Sequence, residues 1–246
     1  MNILLFDRHE LNADHLSLTG FRAKHIRTVL KLKVGDTLRI GMINGRLGQG
    51  KIIALDAAVD ITVRLDQEPP SPPEVELILA LPRPIMLQRI LKQAATLGIY
   101  RLHLIRSAKV EKSFFQSPAL KPEKIRERLL EGLTQSAVDT RLPEVCIHHR
   151  FKPFAEDVAP ILQGKGLIAH PGIPTSLPEI FPPPSEKPEK ILLAVGPEGG
   201  WNDFEVNTFL EQGFTAFSLG GRILHVDTAV VTLLAQLRLL QAIKRN

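Results

Sequence analysis

Two short stretches hold residue types that can bind or transform a ligand. In "AVGPEGGWNDFEV", Ala194 to Val206, an apolar run stops at Gly196-Pro197-Glu198-Gly199-Gly200, and an acidic segment opens behind Asn202. Glycine lets the backbone approach a ligand closely and adopt positive φ. Strand ends in open α/β sheets are where ligands bind. A second turn of this kind lies in "TAFSLGGRILHVDTAVVTLLAQL", where an apolar run over 215–219 is followed by Gly220-Gly221-Arg222, and Asp227-Thr228 then opens a helix. Two neighbouring strand ends can line one cleft with backbone N–H and C=O groups. Neither turn has the ending of a phosphate loop or the spacing of a dinucleotide fingerprint. A flat heterocycle with few charges suits such a cleft better than a triphosphate. The competing reading of the first turn is a plain strand-to-helix connection, with Glu198 a carboxylate near a helix N-terminus.

The other reactive side chains are less informative. Cys146 is the single cysteine, so no internal disulfide forms, as expected in a reducing cytoplasm. Its setting, "EVCIHH", reads as an apolar strand and makes it a small hydrophobe rather than a nucleophile. His148 and His149 are adjacent and face opposite sides of a strand. No spaced His/Cys/Asp/Glu set accompanies them, so no metal site is expected. Trp201 beside the first turn either stacks on a base or packs over the loop.

Proline divides the 246 residues. Pro69, Pro70, Pro72 and Pro73 form a stiff linker, which implies a domain over 1–69 and another over 74–246. The first contains short β-branched runs with turn signals, "DTLRIGMI", "GQGKIIALD" and "DITVRLD", and reads as a small β-barrel. "FRAKHIRTVLKL" is predicted as a helix with Phe21, His25, Val29 and Leu32 towards one face. The second domain alternates strands and helices, which argues for a mostly parallel sheet covered by helices. "VELILAL" reads as a fully apolar strand. "PIMLQRILKQAATLG" is a helix with Leu87, Ile90, Leu91, Ala94 and Ala95 on one face, Pro84 at its start and Gly98 at its end. Ile125, Leu129 and Leu133 recur at spacing four in the next helix. A proline-rich run over 170–190 is expected as a long surface loop, Asn202 and Glu205 form a capping box, and the chain closes on a long apolar helix. The N-terminal apolar run is too short for a signal peptide or a membrane span.

A formal net charge of +5 permits a nucleic-acid partner without requiring one. Arg22, Lys24, Arg27, Lys31 and Lys33 fall in one acid-free run, which either faces phosphates or forms a solvated helix face. Arg106, Lys109 and Lys112 sit near a predicted strand end. With one tryptophan and one tyrosine in the chain, extensive base stacking is not expected.

"GPEGGWNDFEV" followed by "SLGGRILHVDTAVVTLLAQL" resembles the C-terminal motifs of RsmE-type 16S ribosomal RNA uridine-N3 methyltransferases of the SPOUT superfamily. "KHIRTVLKLKVGDTLRI" is similar to that family's N-terminal PUA-like barrel, and "LKQAATLGIYRLHLIRSAKVEKS" to the first strand-helix-strand passage of its catalytic domain. "TQSAVDTRLPEV" is similar to its Gln-Ser…Arg-x-Pro-Glu segment, and this match adds Arg141 to the residues expected to meet RNA. The resemblance implies a PUA-like β-barrel followed by an α/β methyltransferase domain with a C-terminal trefoil knot. It also implies a cytoplasmic homodimer that uses S-adenosylmethionine to methylate ribosomal RNA or the small ribosomal subunit. The cofactor would be held by His170, Gly196, Pro197, Glu198, Gly199, Gly200, Leu219, Gly220, Ile223 and Leu224. A sulfonium is a good leaving group, so this chemistry needs no metal.

The chain departs from the family's Gly-Pro-Arg-Ile-Leu-Arg-Thr-Glu-Thr-Ala pattern. Gly221 replaces proline, His225 the second arginine, Val226 threonine and Asp227 glutamate, whereas Arg222 and Thr228 are retained. Arg222 is expected to stabilise negative charge on the uracil. His225 is either the proton acceptor or a packing residue. These departures keep a second reading in view, an RNA-binding relative without turnover.

Overall fold

The computed structural model describes residues 2–181 and 189–245, so residues 182–188 of the proline-rich run lie outside the described residues. The chain divides into two compact units. One comprises 1–71 with 130–142, and the other 72–129 with 143–246.

The first unit is built on β1 (Leu4–Phe6), β2 (Leu11–Asn12), β3 (His15–Leu18), β4 (Thr37–Met42), β5 (Leu47–Ala54) and β6 (Val59–Gln67). They form one six-stranded sheet in the order β1-β4-β5-β6-β3-β2, antiparallel except at β1-β4. Alternate residues point inward, as a half-buried strand requires. Phe6, Leu16, Leu18, Ile40, Ile52, Val59 and Ile61 meet in a single core. Helix α1 (Gly20–His25) closes over it and continues as a π turn, Ile26–Leu30.

The face expected for this helix is corrected. Phe21 is 79% exposed and Val29 61%, while Ala23 and Ile26 are buried. The inward residues follow the i, i+3 spacing from Ala23, and the short helix widens before Val29 can return to the core side. The unit also includes 130–142, which the sequence reading assigned to the second domain. Asn44 N–H donates to Thr140 O at 2.8 Å, Leu142 N–H to Asn44 Oδ1 at 2.9 Å, and Asn2 N–H to Thr134 O at 2.9 Å.

The second unit carries β7 (Val75–Ala80), β8 (Arg101–Ile105), β9 (Glu144–His148), β10 (Lys165–Ala169), β11 (Ile191–Val195) and β12 (Thr215–Phe217). All pair in parallel, in the order β12-β10-β11-β7-β8-β9. The central strands β7 and β11 are buried along their length. Helices α2 (Pro84–Leu97) and α3 (Pro122–Ser136) follow β7 and β8. Short turns α4 (Phe151–Pro153) and α5 (Leu177–Ile180) follow β9 and β10, and α6 (Asp203–Glu211) and α7 (Val226–Arg245) follow β11 and β12. Helix α2 starts at Pro84 and buries Leu87, Ile90, Leu91, Ala94 and Ala95, the face expected from its periodicity.

Helix α7 packs along α2 and over β11. By length and composition it could cross a membrane. Val230, Leu233, Leu234 and Leu237 are nevertheless core residues, each burial contributing about 1.5–3 kcal/mol. Leu239 and Ile243 remain 59% exposed.

The strand read as fully apolar holds a buried charge. Glu76 of β7 is 1% exposed and His103 of β8 is 2% exposed. Glu76 Oε2 lies 3.2 Å from His103 Nε2, and His103 Nδ1 lies 3.1 Å from His148 Nε2. Lys190 Nζ donates to Glu76 Oε1 at 2.9 Å, and Arg101 stands 3.8 Å from the same oxygen. Burial opposes the ionised carboxylate, but hydrogen bonds from His103 and Lys190, with the charges of Lys190 and Arg101, bring Glu76 down to about 2. Burial, then the neighbouring charges of His103 and His149, lowers His148 to about 4. Cys146 is half-buried with Sγ 3.6 Å from Glu144 Oε1, and burial followed by that negative charge raises its thiol pKa. A thiol held protonated is a poor nucleophile.

Candidate functional site

The ends of β10, β11 and β12 and the start of α7 enclose a cleft of about 220 Å³. His170 comes from the end of β10. Gly196, Pro197, Glu198, Gly199, Gly200 and Trp201 come from the turn after β11, and Leu219, Gly220, Arg222, Ile223 and Leu224 from the turn after β12. All the residues expected to hold a cofactor thus line one cleft. Ala169, Pro171, Val195, Val226 and Ala229 complete the wall. These were missed because apolar residues carry no chemical signal, although the i, i+3 spacing of Val226 and Ala229 at the start of a helix was available.

The backbone explains the glycines. Gly200 and Gly220 have φ of +69° and +99°, a region that side-chain-bearing residues enter at a cost. A Cβ on Gly196 would lie 3.2 Å from the Trp201 indole nitrogen, and one on Gly199 would lie 3.0 Å from Lys109 Cδ. The loops are also tied to one another. His170 N–H donates to Phe217 O at 2.9 Å, and Ser218 N–H to Thr175 O at 2.9 Å. Glu198 Oε1 accepts from Arg83 N–H, at the N-cap of α2, at 3.2 Å. Lys109 Nζ donates to Gly199 O at 2.7 Å.

Trp201 resolves in favour of packing. It is 3% exposed and meets Phe209 edge-on at 5.4 Å. Its Nε1 and the Nδ1 of His170 are buried without a hydrogen-bond partner among the described residues, an arrangement that leaves polar atoms for a ligand to satisfy.

Arg222 is an exposed residue at the rim of the cleft. His225 is not brought to the lining. It immediately precedes α7, exposed to solvent, with its carbonyl accepting from Ala229 N–H at 2.8 Å. The first turn of α7 directs Val226 and Ala229 to the cleft instead.

The basic residues expected to meet RNA separate into two groups. Arg22 is ion-paired to Glu10 and also donates to Leu5 O at 3.3 Å. Arg27 donates to the carbonyls of Asp56, Ala57 and Ala58, and Arg141 to Pro69 O at 3.3 Å, beside Asp139. Lys109 is held by the glycine turn. These four make contacts within the protein. Lys24, Lys31 and Lys33 are exposed. Arg106 lines a second cavity, of about 500 Å³, at the ends of β8 and β9. No group of three or more His, Cys, Asp or Glu suited to a metal occurs among the described residues.

The capping box at α6 is present, with Glu205 N–H donating to Asn202 Oδ1 at 2.8 Å and Asn202 N–H to Glu205 Oε2 at 3.1 Å. Glu205 also accepts from Ala108 N–H at 2.7 Å and Ser107 Oγ at 3.2 Å. One buried carboxylate therefore fixes the loop after β8 to the start of α6, a contact between distant segments that the sequence did not reveal.

Comparison with known proteins agrees with this architecture. A profile of the RNA methyltransferase domain matches residues 69–238, and one of the RNA methyltransferase PUA domain matches residues 18–61. Ribosomal RNA small subunit methyltransferase E of Treponema pallidum is 30% identical over 93% of this chain and 87% of its own. Ribosomal RNA small subunit methyltransferase E 1 of Borreliella burgdorferi is 24% identical over 94% of each. The crystal structure of the Neisseria gonorrhoeae methyltransferase E bound to S-adenosyl methionine superposes with a TM-score of 0.77 at 20% identity, covering 97% of this chain and 98% of that one. The two units are thus a PUA-like domain and an α/β methyltransferase domain, and the chain belongs to the ribosomal RNA small subunit methyltransferase E family of RNA methyltransferases.

Proposed function

We propose that the protein methylates N3 of a uridine in 16S ribosomal RNA, with S-adenosylmethionine held in the cleft after β10, β11 and β12. The observation that carries this reading is the convergence of two glycine turns, His170 and Arg222 on that cleft. Its residues fit the cofactor. Leu219, Leu224, Val226 and Ala229 offer an apolar wall to a flat base, the glycine turns offer peptide groups, and His170 Nδ1 and Trp201 Nε1 are buried polar atoms without protein partners.

S-adenosylmethionine supplies a methyl carbon on a sulfonium leaving group. The rest is performed by the chain. The turns fix the position of the cofactor, and positioning is a large part of catalysis in a two-reactant transfer. N3 of uridine must lose its proton, and negative charge then spreads to the adjoining carbonyl oxygens. The Arg222 guanidinium, at the rim of the cleft, stabilises that charge. Lys24, Lys31 and Lys33 of the PUA-like domain meet substrate phosphates. The same reading takes the protein as cytoplasmic and as a homodimer, with Leu239 and Ile243 of α7 covered by the second subunit, and with α7 threaded through the knot implied by the family.

A second reading, RNA binding without turnover, is favoured by the exposure of His225 away from the cleft. Incubation with labelled S-adenosylmethionine and small ribosomal subunits or their RNA, followed by nucleoside analysis, separates the two. Label in N3-methyluridine supports the proposal. Label in another base or ribose redirects the specificity. No transfer, with RNA binding intact, favours the second reading.

A further inference from the structure

We propose that the cavity at the ends of β8 and β9 is a docking pocket for one nucleotide of single-stranded RNA beside the target uridine. This rests on the RNA methyltransferase reading and adds a site to it. The cavity, of about 500 Å³, lies within the methyltransferase unit and is lined by Arg106, His149, Arg150, Phe151, Asn202 and Phe204, among others. That volume is within the range of small-molecule sites.

Its chemistry is graded. No ion pair holds Arg106 or Arg150 among the described residues, whereas Lys152 is paired with Glu156 at 3.5 Å. Glu156 and Asp157 also line the cavity and repel phosphate from that side. The phosphate therefore belongs with Arg106 and Arg150. Phe204 is 58% exposed although it sits in the first turn of α6, and its ring meets Phe151 at 6.2 Å, close to edge-on. An exposed ring beside free guanidinium groups is the combination that binds unpaired bases, because every base has a face to stack and a phosphate to neutralise. It is a local platform rather than the extensive stacking that the scarcity of tryptophan and tyrosine argues against.

The pocket is preformed. Glu205 locks Ser107, Ala108 and Asn202 together through its carboxylate. The pocket is linked to the loops of the cofactor cleft. Asn202 directly follows the Gly196–Trp201 turn, and Lys109, from the Arg106 loop, bonds to Gly199 O. A nucleotide held here would steady the RNA against the same loop that frames the cleft.

The test uses the full-length protein and a single-stranded oligoribonucleotide carrying 4-thiouridine, irradiated and mapped by peptide mass spectrometry. Crosslinks at Phe204 or Phe151 are expected. Phe204→Ala should weaken binding of the oligonucleotide on the order of tenfold. Arg106→Gln with Arg150→Gln should reduce the salt slope by about 0.7, the value for one phosphate on a single strand. Calorimetry with S-adenosylmethionine should show wild-type affinity for all these variants, establishing that the fold is intact. Crosslinks confined to other segments, or variants that bind the oligonucleotide with wild-type affinity and salt slope, overturn the pocket. If the wild type still methylates small-subunit RNA in that case, the enzymatic reading stands. If it transfers no methyl group but crosslinks at Phe204, the enzymatic reading fails and the pocket stands.

Discussion

His148 makes the stability of this protein depend on pH in a direction set by its surroundings. Its ring lies against His103 and Phe154, and its pKa falls from 6.5 to about 4 in the folded chain. The folded value is below the unfolded one, so the unfolded chain takes up the proton first. The neutral ring's contribution is complete above pH 6.5 and is lost as the pH falls towards 4. A difference of about 2.5 pH units has an upper bound of about 3.4 kcal/mol. Residual solvent contact of the half-buried ring reduces this to about 2 kcal/mol. The Glu76 carboxylate acts in the same direction over a lower window, from 4.5 down to about 2. Urea denaturation at pH 7, 6, 5 and 4, at constant ionic strength, should therefore show stability declining with acid. His148→Phe retains a ring beside Phe154 and removes the titration, so its decline between pH 6.5 and 4 should be shallower by about 2 kcal/mol. Proton NMR of the imidazole in the native protein provides a direct check, with a midpoint near pH 4 expected. Parallel stability curves, or an NMR midpoint near 6.5, would refute the assignment of a half-buried, neutral His148.

Further outcomes follow from the cleft, the basic residues and the last helix. Gly199→Val must displace Lys109 from the glycine turn, and calorimetry should show S-adenosylmethionine affinity reduced by at least about tenfold, or about 1.4 kcal/mol, with wild-type affinity counting against the cleft as the binding site. Arg222→Ala should spare cofactor and RNA binding but lower the single-turnover rate by about 100-fold, as expected for a charge contact made in the transition state, and a wild-type rate would remove Arg222 from the catalytic centre. Glutamate at Lys24, Lys31 and Lys33 should weaken RNA binding, more visibly at low salt, with stability changed by no more than about 0.5 kcal/mol at each position; Arg27→Glu should instead destabilise the PUA-like domain by about 2 kcal/mol through loss of its three carbonyl acceptors. Light scattering should return twice the 27.3 kDa chain mass, and Leu239→Glu with Ile243→Glu should return the monomer.

The methyltransferase fold was legible in the sequence because its signals are local. Pro84, Gly98 and the apolar spacing between them define α2, and Asn202 with Glu205 marks the start of α6. The cleft was legible for a related reason. Gly200 and Gly220 need positive φ and follow strands, so turn chemistry and position coincided. What could not be read depended on partners distant in the chain. Glu76, His103 and His148 come from three strands whose adjacency follows from sheet order, and nothing in "VELILAL" shows what its glutamate will face. The same limit applies to 130–142, whose bonds to Asn2 and Asn44 place it with the first unit.

The basic run shows why composition identifies a kind of partner more readily than it identifies the contacts. Its five cations look equivalent in sequence, yet the fold uses both arginines and leaves the lysines exposed. Arg22 engages Glu10 and Leu5 O together, and Arg27 gathers three carbonyls at one turn. A planar guanidinium with several fixed donors can satisfy grouped acceptors in this way. A lysine ammonium is a strongly hydrated point charge on a flexible stem, and remains in water unless an acceptor is placed for it. Lys109, which reaches Gly199 O, is the case where one is placed. Arg106 and Arg150 reverse the pattern, as arginines in a cavity without an ion pair among the described residues. Free forks of this kind, beside an exposed phenylalanine, are the feature of the second cavity that internal structure leaves unexplained and that an RNA phosphate would complete.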